Sequence, residues 1–180
     1  GGGGRIAVNY AILEGGPATR FETSPGIGYA DVSIDAYGWE KAAQDGSVYF
    51  PDMAMLSPVL ADRLFTDVSL YVSGMTARAV GSLKVTNCSV TFPNAGFSLT
   101  VSNDLLVSTS GEFGTNSLAC GGNVIVTNGG VLNLVADPTN GAYHAYGALA
   151  AIAGNLLIGS NSWVYPYSDP TNGGSVRFQL

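Results

Sequence analysis

Residues 122–141 and 154–173 are two versions of one passage, offset by 32 positions: G-N-V-I-V-T-N-G-G-V-L-N-L-V-A-D-P-T-N-G is answered by G-N-L-L-I-G-S-N-S-W-V-Y-P-Y-S-D-P-T-N-G. The positions held in common are mostly Gly, Asn, Asp and Pro, with β-branched and aliphatic residues between them. A unit of this kind buries its apolar face only against its neighbours, so repetition implies stacking, and the residue types imply stacked β-coils.

From about Ser82 onward the chain runs in short alternating stretches, S-L-K-V-T-N-C-S-V-T-F being the first, and each reads as strand, bend, strand. The bends are Thr86-Asn87, Ser102-Asn103, Thr127-Asn128 and Ser160-Asn161. Asn tolerates the left-handed region and bonds its own backbone, so it turns a corner without a long loop. The expected fold is all-β, a parallel β-helix. An antiparallel β-sandwich is the alternative, because Asn128-Gly129 is also a hairpin signal; recurrence of the bend in one phase and repetition of a whole block favour the solenoid.

Two regions are expected. Residues 66–180 form regular coils with a side loop at 137–147, because 32 residues exceed the two dozen or so of a plain coil and the surplus falls on D-P-T-N-G-A-Y-H-A-Y-G. Residues 148–153 read as a helical turn or a buried strand. Residues 1–65 read as glycine-rich irregular coils continuous with the solenoid, with strands at 5–10, 32–36 and 47–50. Residues 52–65 read as a loop or short helical crossover broken near Pro58.

The surface implied by composition is neutral and polar. Charged residues make up 11% of the 180, against roughly 25% in ordinary soluble domains, while glycine contributes 25 residues and the net charge is −6. A nucleic-acid partner needs clustered Lys and Arg, and is not expected. No apolar run approaches the ~18 residues of a membrane span, so membrane insertion is not expected either. Cys88 and Cys120 are a disulfide or two free buried thiols, both readings being open; one histidine and two cysteines lack the paired spacing of a zinc site. The opening glycine tract and the strand-like S-V-R-F-Q-L at the end are expected of a piece of a longer polypeptide.

G-G-G-G-R-I-A-V-N-Y, then V-S-I-D-A-Y-G-W-E-K-A-A-Q-D-G-S-V-Y-F-P-D, then L-x-V-x-N blocks resemble the glycine-rich, autotransporter-like parallel β-helix segments of very large secreted or surface bacterial proteins. Trp39 stands where those segments usually carry a second glycine. The resemblance covers most of the chain, and it implies a right-handed, single-stranded parallel β-helix located extracellularly or on the bacterial cell surface. It carries over no functional residues.

Three groups of side chains are candidate sites. Trp163, Tyr165 and Tyr167 alternate, so a strand puts them on one face, where sugar rings stack; Tyr143 and Tyr146 in the side loop join them as candidate glycan-binding residues. Burial of that stripe, or its use as cover for the solenoid end, is the competing reading. Asp137 and Asn140 would lie near Asp169 and Asn172 if the duplicated D-P-T-N-G turns stack, an oxygen-rich set of the kind Ca²⁺ takes, although Asp-initiated turns alone explain the same residues. No other cofactor is expected. Val176, Phe178 and Leu180 alternate as an open strand edge that needs another coil or another copy to cover it.

Catalysis is not favoured, since the acids of the coil region, Asp104, Glu112, Asp137 and Asp169, form no obvious pair, and His144 lacks an orienting carboxylate. The expected role is structural or adhesive: a β-solenoid segment that self-associates through its coil ends into a fibre or stalk. A carbohydrate-binding β-helix module is the alternative, and a polysaccharide lyase or glycoside hydrolase fragment comes after it.

Overall fold

The computed structural model describes residues 2–12, 19–25, 45–136, 147–168 and 174–180. Within them lie nineteen strands and no helix. The first are β1 (Arg5–Ala7), β2 (Phe21–Glu22), β3 (Gly46–Phe50), β4 (Val59–Leu60) and β5 (Phe65–Thr66). After these the chain runs in threes: β6 (Val68–Val72), β7 (Ala77–Val80) and β8 (Leu83–Thr86); β9 (Ser89–Thr91), β10 (Ser98–Val101) and β11 (Leu105–Ser108); β12 (Glu112–Thr115), β13 (Ser117–Cys120) and β14 (Val124–Val126); β15 (Val131–Val135), β16 (Ala148–Ile152) and β17 (Leu156–Ile158). β18 (Trp163–Tyr167) and β19 (Val176–Gln179) complete the chain.

The threes have a topological meaning. Sheet I has the order β1-β3-β6-β9-β12-β15-β18, sheet II the order β7-β10-β13-β16-β19, and sheet III the order β4-β8-β11-β14-β17; β2 and β5 form a separate pair. From β6 on, the chain visits sheets I, II and III in rotation and lays each new strand beside the one it left a circuit earlier. Every pairing is parallel. An antiparallel sandwich is therefore not the fold: Asn128-Gly129 does not join a hairpin but turns the chain from β14 in sheet III to β15 in sheet I.

Alternation along each strand decides what is buried. In β10 and β13 the residues at the second and fourth positions, Leu99 and Val101, Leu118 and Cys120, are buried, while their neighbours face outward. Register then stacks like on like. Leu83 pairs with Leu105, Leu105 with Val124 and Val124 with Leu156, giving one aliphatic column through sheet III. Sheet I contributes Val90, Phe113, Leu132 and Val164 in the same way. These columns meet in a single core, with the Phe92 ring stacked on Phe97 at 4.7 Å and edge-on to Phe113 at 5.8 Å.

The corner from sheet III to sheet I is made by left-handed residues. Asn87 (φ 48°), Asn128 (φ 52°) and Asn161 (φ 52°) occupy it as the bends imply, but between β11 and β12 the work is done by Thr109 (φ 53°) and Ser110 (φ 56°). Ser102-Asn103 belongs to the other corner, from sheet II to sheet III, so the four bends do not share one phase. The corners are tied to each other by Asn87 N donating to Thr109 O at 3.0 Å and Ser110 N donating to Asn128 O at 3.1 Å.

At the sheet II to sheet III corner a side-chain ladder runs up the molecule. Asp104 Oδ1 accepts from Asn123 N at 2.7 Å and from Asn123 Nδ2 at 3.2 Å, and Asn123 is in turn bonded to Asn155. A Cβ on Gly154 would fall 2.6 Å from Gly122 O, which is why each of these asparagines follows a glycine. The 32-residue echo is thus one circuit of the three sheets: Val124 pairs with Leu156 and Val131 with Trp163 at that offset.

Residues 148–152 form β16, a strand with Ala148, Ala150 and Ile152 buried, and not a helical turn. Residues 52–65 hold turns and β4 in place of a helical crossover. β1 and β3 extend sheet I, so the early strands and the later ones share one ladder. The strand expected at 32–36, Trp39 and the side loop apart from Gly147 lie outside the described residues.

Candidate functional site

Among the described residues, the outward face of sheet I carries Tyr49, Trp163, Tyr165 and Tyr167, all exposed. Trp163, Tyr165 and Tyr167 share that face with Val131, Asn133 and Val135, their register partners, and all three rings are exposed. Tyr165 and Tyr167 lie 5.9 Å apart with 39° between ring planes. The three rings lie on the side of β18 away from the core, while Val164, pointing the other way, packs against it. Beneath the stripe, Asn133 Nδ2 donates to Glu112 Oε1 at 2.6 Å, while the buried Asn133 Oδ1 has no partner.

A second aromatic pair lies at the opposite end of the same face. Tyr49 on β3 and Tyr71 on β6 are register partners, and their rings stack at 4.9 Å with only 10° between planes. The pair separates two concavities and lines both. One, of about 720 Å³, includes Arg5, Asp45, Ser47, Ser69 and Thr91; the other, of about 620 Å³, includes Ala7, Asn9 and Asn94. Nothing adjacent in sequence announces this pair, because the two tyrosines sit on different circuits; only the register of β3 with β6 aligns them.

Near the same groove, partial burial raises the proton affinity of Asp45, and the negative charge of Asp67 adds to the effect. Asp67 is held by Ser24 Oγ donating to its Oδ2 at 2.6 Å and by Thr23 Oγ1 donating to its backbone carbonyl at 2.7 Å. The described acids of the coil region are engaged elsewhere, Asp104 in the corner ladder and Glu112 with Asn133. Among the described residues no cluster of three or more His, Cys, Asp or Glu is placed to hold a metal ion. Asp137, Asn140, Asp169 and Asn172, together with Tyr143, His144 and Tyr146, lie outside the described residues.

The third feature is one end of the stack. β17, β18 and β19 are the last strands of sheets III, I and II, and among the described residues each has one edge that no strand pairs. Residues whose register places them over the core are open there: Ile158 is 51% exposed where its partner Val126 is 0%, and Phe178 is 38% exposed where Ala150 is 0%. Val176 is half-buried and Leu180 exposed. Pro166, in register with the buried Leu134, shares that level.

Cys88 and Cys120 are both buried and both free thiols. Cys120 points into the column of Val101 and Ile152, its Sγ donating to Asn103 O at 3.1 Å. Burial pushes the Cys88 thiol up to about 11. No protein-family model, no curated protein and no solved structure matches the chain.

Proposed function

We propose that the chain is a segment of a right-handed, single-stranded parallel β-helix from an extracellular or cell-surface bacterial protein, with a structural or adhesive role exercised through its coil ends. The rotation of the chain through three parallel sheets supports the β-helix, and the resemblance noted in the sequence supports its handedness and location. The carrying observation is the open level formed by β17, β18 and β19, where Ile158 and Phe178 stand over Val126 and Ala150, which are fully buried one level below. Three unpaired strand edges around an apolar centre are a template for another coil, from a longer chain or a second copy.

Sedimentation velocity across a concentration series tests the self-associating form of this reading. Oligomers that dissociate on dilution, and that Ile158→Lys and Phe178→Lys convert to monomer, are the expected result. A wild-type chain that stays monomeric at every concentration overturns it. A carbohydrate-binding module is the second reading, favoured by the exposure of Trp163, Tyr165 and Tyr167 on one strand face; loss of glycan retention in Trp163→Ala supports it.

A further inference from the structure

We infer that the groove beside the Tyr49–Tyr71 stack is a binding site for a neutral polysaccharide chain, distinct from the Trp163 stripe and independent of how the coil ends are covered. Two columns of side chains run side by side across sheet I there. Arg5 pairs in register with Ser47, Ser47 with Ser69 and Ser69 with Thr91, so a guanidinium and three hydroxyls follow one another at the strand spacing of about 4.8 Å. Two residues further along the strands, Ala7 pairs with Tyr49 and Tyr49 with Tyr71.

The second column explains why a ring fits. Tyr49 gives one face to Tyr71, and on its other side the register partner is Ala7, whose methyl leaves the space over the ring open to the 620 Å³ concavity. Tyr49 remains 41% exposed even with Tyr71 stacked upon it. A cross-strand tyrosine pair stabilises a sheet without any ligand; what that role does not require is a concavity on each side, nor a line of hydrogen-bonding groups parallel to the rings.

The chemistry of the lining selects the ligand. Stacking on an aromatic face while hydroxyls meet a cation, a carboxylate and serine or threonine oxygens is the behaviour of a sugar ring, which has an apolar face and polar edges. Arg5 and Asp45 lie in one groove with opposite charges. An anionic chain would meet Asp45 and a cationic chain Arg5, whereas a neutral polyol donates to the carboxylate and accepts from the guanidinium.

Isothermal titration with cellohexaose, with chitohexaose and with a hexamer of galacturonic acid tests the assignment, preceded by a broad neutral-glycan array to choose further probes. The expected result is saturable binding of at least one neutral oligosaccharide, weakened at least tenfold in Tyr49→Ala and unchanged in Trp163→Ala. Ala7→Leu is the second variant: it fills the space over the Tyr49 ring while leaving the stack in place, so it must abolish binding with the circular dichroism spectrum and melting temperature retained. Binding that survives Ala7→Leu, preference for the galacturonic acid hexamer, or failure of every neutral glycan on the array to bind overturns the inference.

Discussion

Asn123 accepts two hydrogen bonds from one residue: the backbone nitrogen of Asn155 at 3.0 Å and its side-chain nitrogen at 3.1 Å, across a separation of 32 residues. Asn123 makes the same pair of donations to Asp104, 19 residues back. Asn123, the middle rung, therefore uses its side-chain amide twice, as donor to the circuit below and acceptor from the circuit above. The glycine before each asparagine lets the backbones approach closely enough for this.

Removing a middle rung should cost more than removing the last one. Asn123→Ala keeps the backbone donation to Asp104 but loses the Nδ2 donation to it and the Oδ1 that accepts from both Asn155 nitrogens, for about 1–2 kcal/mol; Asn155→Ala loses one side-chain donation, for about 0.5 kcal/mol. Urea unfolding midpoints check the order, and equal losses in the two variants would count against a ladder that acts as one.

Core position should matter by level. Phe113 is fully buried and packs against Phe92, so Phe113→Ala should destabilise by about 3–5 kcal/mol. Phe178 stands at the open level and is 38% exposed, so Phe178→Ala should cost clearly less in the dilute monomer, about 1–2 kcal/mol. Thermal unfolding at low protein concentration measures both.

The thiol of Cys88 should resist alkylation. With its titration pushed up to about 11 by burial, almost none of it is thiolate at pH 8. Iodoacetamide should leave Cys88 unmodified in native protein over hours and label it fully in urea, read by peptide mass. Rapid native labelling at that position would contradict its burial.

Asp45 should destabilise the fold as it ionises. Its folded-state affinity for a proton is raised, so its favourable contribution is complete below the ordinary carboxylate value near 3.8 and is lost as pH rises through the elevated one. Asp45→Asn should melt higher than the parent at pH 7, and the two melting temperatures should converge below about pH 4. A gap that widens on acidification would reverse the sign.

The sequence made the strands of the later circuits legible because their residues alternate and their corners carry asparagine. It misplaced Ser102-Asn103 because a Ser-Asn pair looks alike at either corner, and it overlooked Thr109 and Ser110 because those residues do not advertise a left-handed backbone, yet the stacking of Asn128 above and Asn87 below holds them in it. The outward direction of Trp163, Tyr165 and Tyr167 was ambiguous because two of their partners, Val131 and Val135, are apolar residues on an outer face. Tyr49 and Tyr71 were invisible as a pair, since their meeting depends on the register between two circuits.

The parallel ladders have a mechanical consequence. Their hydrogen bonds connect each circuit to the next, along the direction in which the chain advances, so tension applied between β1 and β19 pulls across those bonds in succession. Such a chain unravels in steps. A 19-residue circuit lengthens it by roughly 65 Å and the 32-residue circuit by roughly 110 Å at full extension. From β6 on, the longest increment belongs to the circuit that ends in the tryptophan and tyrosine strand.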